Sequence, residues 1–114
     1  MTTNETLTFD HLALRVPDVP TALVEYRAMF PHADVLHEDP TWAMIRVGDL
    51  KLAFVLAEQH PAHVAFRTNS REEMLRLAEE CGEPVKLHRD ATESFYHTDT
   101  GGNTIEIIYY PNSH

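Results

Sequence analysis

Two histidines and one glutamate carry the chemistry this chain could do. His11 opens the stretch His11-Leu12-Ala13-Leu14-Arg15-Val16, and His63 opens His63-Val64-Ala65-Phe66-Arg67-Thr68. The second stretch repeats the first, with His, Ala and Arg at matching places and apolar residues between them. Glu106 is a lone carboxylate in the apolar run Thr104 to Tyr110. A buried carboxylate is costly unless a cation, a proton or a hydrogen-bond partner compensates it. Two imidazoles with one carboxylate form a facial set that leaves positions open on an octahedral metal ion. Such a set suits a site where a substrate chelates the ion and is polarised by it. Blander readings stand beside this one. A histidine at a strand start is commonly an ordinary hydrogen-bonded residue, and Glu106 could pair with Arg15 or Arg67. The repeat favours the metal set, because it gives both histidines the same place in two similar half-units.

The elements that must position these residues follow from periodicity. Residues 1–6 are polar and expected to fray. Leu7 to Val16 alternates as a strand, with Leu7, Phe9, His11, Ala13 and Arg15 on one face and Thr8, Asp10, Leu12, Leu14 and Val16 on the other. Pro17 to Pro20 stops it and starts a helix, in which Val19, Ala22, Leu23, Tyr26 and Phe30 recur at helical spacing until Pro31. A short strand is expected around Asp34–His37, followed by strands Trp42–Val47 and Leu50–Leu56 joined at the tight turn Gly48-Asp49. Glu58 to Pro61 links the halves. The order then repeats: strand His63–Thr68, a Ser-x-x-Glu capping box at Ser70–Glu73, and a helix with Met74, Leu77, Ala78 and Cys81 as its buried stripe. Gly82 is placed to cap that helix. A short strand over Pro84–His88 and strands Ser94–Asp99 and Asn103–Tyr110 complete the half. The expected fold class is therefore α+β, one domain over 1–114 with modules at about 7–58 and 61–110, each strand–helix–strand–strand–strand.

Bulk properties exclude several function classes. Nine basic against eighteen acidic residues give a formal charge of −9, and no basic run offsets it, so neither nucleic acid nor an anionic membrane is an expected partner. An anionic small molecule remains compatible, because one arginine in a cleft outweighs a distant surface average. The single cysteine, Cys81, permits no intramolecular disulfide and reads as inert helix core. No apolar run approaches the roughly 20 residues of a membrane span, and Met1 to Thr8 lacks the features of a secretory signal. The expected location is the cytoplasm.

The opening stretch through Pro17-Asp18-Val19, with its helix ending Tyr26-Arg27-Ala28-Met29-Phe30, resembles the start of vicinal oxygen chelate proteins. These include glyoxalase I, bleomycin-resistance proteins, fosfomycin-resistance enzymes and extradiol dioxygenases. Ser94-Phe95-Tyr96-His97-Thr98-Asp99-Thr100-Gly101-Gly102-Asn103-Thr104-Ile105-Glu106 resembles the superfamily's closing segment. The resemblance spans residues 7–110. It implies paired βαβββ modules forming an incomplete, glyoxalase-like barrel around a metal cavity, with His11, His63 and Glu106 as ligands of Fe²⁺, Mn²⁺, Ni²⁺ or Zn²⁺. It also implies a homodimer. Two departures bear on the details. Thr100-Gly101 replaces the usual Pro-Asp, which should alter the turn and leave the strands intact. The position related to Glu106 in the first half falls near Leu52, Ala53 or Phe54, none of which binds metal, so the fourth ligand of glyoxalase I is missing.

The function expected from this resemblance is a metal-dependent enzyme of lyase, isomerase or dioxygenase type acting on a small oxygenated metabolite. Glu106 and Tyr96 are its candidate catalytic residues. Arg15, Trp42, Arg67, Lys86 and Ser94 are its candidate substrate-binding residues. Arginine suits carboxylate or phosphate, although both arginines could equally pair with the chain's acids. Trp42, Met44, Phe54 and Tyr110 are candidates to line an apolar pocket. One alternative is a non-catalytic drug- or metabolite-binding protein of the bleomycin-resistance kind, whose members generally lack the ligands present here. Another is a fosfomycin-type thiol transferase, which Lys86, Ser94 and Tyr96 favour. Against it, Ala13 replaces the expected threonine, and no arginine follows Glu106. His97 alternates away from Ser94, Tyr96 and Thr98 and reads as structural.

Overall fold

The computed structural model describes residues 7–88 and 90–111, so the expected fraying of residues 1–6 lies outside the described residues. The elements run β1 (Thr8–Val16), α1 (Val19–Met29), β2 (Asp34–Glu38), β3 (Trp42–Val47), β4 (Leu50–Leu56), β5 (His63–Thr68), α2 (Arg71–Cys81), β6 (Lys86–Leu87), β7 (Glu93–Thr98) and β8 (Thr104–Tyr109). This is the α+β order read from the sequence, two βαβββ modules in succession. The chain forms two compact units, one comprising His11–His63 and the other the residues up to Asp10 together with those from Val64 on. β1 thus begins in one unit and ends in the other.

In the His11–His63 unit the strands lie in the order β2-β3-β4-β1. β1 runs parallel to β4, with Leu12 opposite Leu52 and Arg15 opposite Val55, while β2, β3 and β4 are antiparallel neighbours. Gly48, at φ 61°, makes the turn between β3 and β4 in a left-handed conformation that favours glycine. α1 starts at Asp18, whose carboxylate accepts from the Thr21 backbone N–H at 2.9 Å, with Pro20 in the first turn where no N–H partner is missed. The helix lays Val19, Ala22 and Leu23 on Ala43, Ile45, Leu52 and Phe54, and Leu12, Leu14 and Val16 pack onto the same cluster. Phe30 caps the helix and is partly exposed.

The second unit contains β5, β8, β7 and β6 in that order, with β6, β7 and β8 antiparallel. α2 covers one face by burying Met74 and Ala78 against Phe95 and Ile107. Gly82, at φ 69°, closes the helix, its N–H donating to the Ala78 and Glu79 carbonyls. Two expectations for α2 need correction. Cys81 is exposed, because the buried stripe ends at Ala78 and position 81 is the last residue of the helix. The capping box is half-formed: Ser70 Oγ accepts from the Glu73 N–H at 3.1 Å, but the Ser70 N–H donates to Thr68 Oγ1 and the Glu73 carboxylate turns to Arg76 Nε at 2.7 Å. After β7, Asp99 Oδ1 accepts from the Gly101 and Asn103 N–H groups, and Gly102 sits at φ 85°. The altered Thr-Gly turn leaves β7 and β8 in register, as expected.

Candidate metal and substrate site

In the His11–His63 unit the two histidines meet. Their rings pack edge to face, with centroids 5.4 Å apart and planes inclined at 74°. His63 is 6% exposed, and its Nδ1 lies 2.9 Å from the Pro61 carbonyl. A carbonyl only accepts, so Nδ1 carries the proton and Nε2 of the neutral ring keeps the lone pair a metal requires. Metal-ligating histidines are held in their tautomer by this kind of outer hydrogen bond. His11 is half-buried near the start of β1.

The same unit carries two of the expected substrate residues. Arg15 and Trp42 both stand opposite Val55, on strands flanking β4 on its two sides, so they lie on one face in one cross-strand row. The next row holds Ala13, Ala53 and Met44, packed together with Val55 away from α1. Alternation along β1 places His11 on this face too. The Trp42 indole stacks on His37 at 3.8 Å and 14°, and His37 Nε2 is 2.7 Å from Asp39 Oδ2. Phe54 does not face the side where an apolar pocket was expected. Phe54 alternates to the opposite face, is wholly buried, and packs on Tyr26 beneath α1.

In the second unit Glu106 is 5% exposed on β8. Tyr96 stands opposite it, Ser94 opposite Ile108, and Lys86 opposite Ser94, which puts Lys86, Ser94, Tyr96 and Glu106 on one face. Ile107 and Phe95 point the other way, into the α2 core. The Tyr96 hydroxyl hydrogen-bonds Glu106. Burial first, then that carboxylate, raise its pKa beyond the ordinary tyrosine range, so it is a donor at neutral pH. Ser94 has no exposed surface and shares a 2.7 Å hydrogen bond with His88 Nε2. Lys86 is exposed on the short strand β6. His97 pairs with Glu83 at 2.9 Å, as its structural reading anticipated.

Two residues of this face were missed in the sequence. Asp10 is 5% exposed; it accepts from the Tyr110 hydroxyl at 3.3 Å through Oδ2 and faces Arg67 Nη1 at 3.8 Å through Oδ1. The Arg67 guanidinium lies over the Tyr110 ring, 4.8 Å from its centroid. Asp10 carried the same signal as Glu106: a lone carboxylate assigned to the apolar face with Leu12, Leu14 and Val16. His88, outside any strand, gave none.

Among the described residues, His11, His63 and Glu106 are the group of three His, Cys, Asp or Glu side chains that could hold a metal ion. Two borderline nitrogens and one hard carboxylate fit a divalent first-row ion.

No family model matches the chain, and no curated protein does. Solved structures do. Methylmalonyl-CoA epimerase from Mycobacterium tuberculosis superposes with a TM-score of 0.67 at 18% identity, over 97% of this chain and 94% of that one. A glyoxalase/bleomycin resistance protein/dioxygenase superfamily member from Vibrio splendidus 12B01 gives 0.61 at 12% identity, over 90% and 98%. A variant of homoprotocatechuate 2,3-dioxygenase from Brevibacterium fuscum gives 0.64 at 20%, over 92% of this chain but 35% of that chain. The fold is therefore the vicinal oxygen chelate fold, which hosts more than one chemistry. No helix among the described residues is long and apolar enough to cross a membrane.

Proposed function

We propose that the protein is a divalent-metal-dependent enzyme acting on a small oxygenated metabolite, with His11, His63 and Glu106 holding the ion. The observation that carries this reading is the imidazole pair: two histidines far apart in sequence meet at 5.4 Å, and the Pro61 carbonyl leaves His63 Nε2 as a lone-pair donor. The buried Glu106 supplies the carboxylate of a two-histidine, one-carboxylate set. A divalent ion held there supplies Lewis-acid polarisation of substrate oxygens.

The remaining roles belong to side chains. Tyr96 donates its single hydroxyl hydrogen to the Glu106 carboxylate and so orients it; turned from that carboxylate, the same protonated hydroxyl would donate to negative charge building on the substrate. Arg67 and Arg15 offer guanidinium groups, Trp42 an apolar platform, and Lys86 and Ser94 polar contacts. The reaction is of lyase, isomerase or dioxygenase type, compatible with neighbours named as an epimerase and a dioxygenase. We read the working form as a cytoplasmic homodimer, which sedimentation tests directly. Screening the metal-loaded protein against vicinal diols, 2-hydroxy ketones and 2-oxo acids tests the function. Turnover abolished by Glu106→Gln supports it. Ligand binding without turnover, unaffected by Glu106→Gln and His63→Ala, would instead make this a binding protein.

A further inference from the structure

We propose that the substrate carries a carboxylate apart from the oxygens that would meet the metal, and that Arg67 is the residue that holds it. This rests on the preceding reading for where the substrate lies. In the sequence Arg15 and Arg67 occupy matching places in the repeat, but their surroundings differ. Arg15 is exposed toward the end of β1. Arg67 is two-thirds covered, its guanidinium carbon over the Tyr110 ring, with a buried carboxylate near Nη1.

That setting fixes a guanidinium in advance. The Tyr110 ring lies under the guanidinium carbon and the Asp10 charge lies near Nη1, so two neighbours restrict where the group sits. Asp10 is itself held by the Tyr110 hydroxyl, so one tyrosine orients both partners. The Asp10–Arg67 contact, at 3.8 Å, is longer than a hydrogen bond, so Asp10 acts on Nη1 through charge. A planar fork held this way binds a carboxylate bidentately without first paying for its own ordering.

Location and charge point the same way. Phe66 packs toward α2, so its neighbour Arg67 lies on the opposite face of β5. Glu106 also faces away from α2, since Ile105 and Ile107 pack into that core. Burial first, then the Asp10 carboxylate and more weakly Glu106, raise the Tyr110 pKa, and Arg67 opposes them. A face bearing two buried carboxylates, in a chain of charge −9, repels an anion unless a cation is fixed there to receive it. Among the described residues of this face, Arg67 is the cation held between neighbours, whereas Lys86 is exposed on β6.

The test compares 2-oxoglutarate with 2-oxopentanoate, which share a chelating 2-oxo acid end and differ in the distal carboxylate. Binding to Zn²⁺-loaded and metal-free wild type is measured by calorimetry, with metal content determined separately. The expected result is at least about tenfold tighter binding of 2-oxoglutarate, a preference kept in Arg15→Met and erased in Arg67→Met. Arg67→Lys, which keeps the charge and so preserves the contact with Asp10, should lose most of the preference with an unchanged melting temperature. Equal affinity for the two acids in wild type, no binding of either, or a preference that survives Arg67→Met overturns the proposal. A preference that depends on Arg67 in protein that takes up no metal upholds the arginine assignment and refutes the metal reading, so the two fail separately.

Discussion

The imidazoles of His11 and His63 meet edge to face at 5.4 Å, and the Pro61 carbonyl fixes the proton of His63 on Nδ1. The ring planes are inclined at 74°, so the rings pack edge to face and do not stack. This relationship turns a repeated sequence pattern into candidate coordination chemistry.

The Tyr96 hydroxyl bonds the carboxylate of the third candidate ligand. Removing such an outer partner typically costs ten- to a hundredfold in metal affinity. Tyr96→Phe should therefore weaken metal binding by about that factor while leaving the fold intact, as measured by competition with a chromophoric chelator. Unchanged affinity would mean that Tyr96 does not orient the ligand.

Met74 is wholly buried between α2 and the sheet, against Phe95 and Ile107. Met74→Ala should lower the free energy of unfolding by about 2–5 kcal/mol, through lost burial and the cavity left behind. Urea denaturation measures this. A loss below about 1 kcal/mol would show that the core collapses to fill the space.

The half-formed cap of α2 separates two substitutions that a complete capping box would make alike. Ser70→Ala removes the acceptor for the Glu73 N–H and should cost about 1 kcal/mol. Glu73→Gln, whose carboxylate pairs with Arg76 and not with the Ser70 N–H, should cost less than about 0.5 kcal/mol. Equal losses in thermal melts would contradict the observed geometry.

Several surface carboxylates are held below their ordinary pKa: Asp18 and Asp90 by hydrogen bonds from Thr21 and Thr92, Glu93 by Arg71, and Asp99 by the Asn103 N–H. Their folded values lie below the unfolded ones. The stability they confer is thus present above about pH 4 and is lost as pH falls through the folded values. Melting temperature should accordingly decline steadily below pH 4. A flat profile down to pH 2 would show that these bonds contribute no net stability.

The fold was legible because alternation and helical spacing are local properties. β3 and β4 begin and end where the sequence places them, and Gly48 and Gly82 take the left-handed conformations expected of them. The histidine repeat was legible for the same reason. What escaped depends on tertiary neighbours. Cys81 continues the stripe of α2 by spacing, but as the helix's last residue it is exposed. Phe54 is as apolar as Met44, and only the strand register shows that it faces α1. Asp10 sat beside His11 in plain view, and only its contacts with Arg67 and Tyr110 reveal what a buried carboxylate does there.

Metal content reads out the proposed His11, His63 and Glu106 site itself. Wild-type protein, His63→Ala and Glu106→Gln are each saturated with Mn²⁺, Fe²⁺ or Zn²⁺ under anaerobic conditions, desalted and analysed by mass spectrometry of the eluted ions. Close to one ion per wild-type chain is expected, with most of it lost in both variants and far-ultraviolet circular dichroism unchanged. Equal retention by all three proteins, whether high or negligible, would contradict the proposed site.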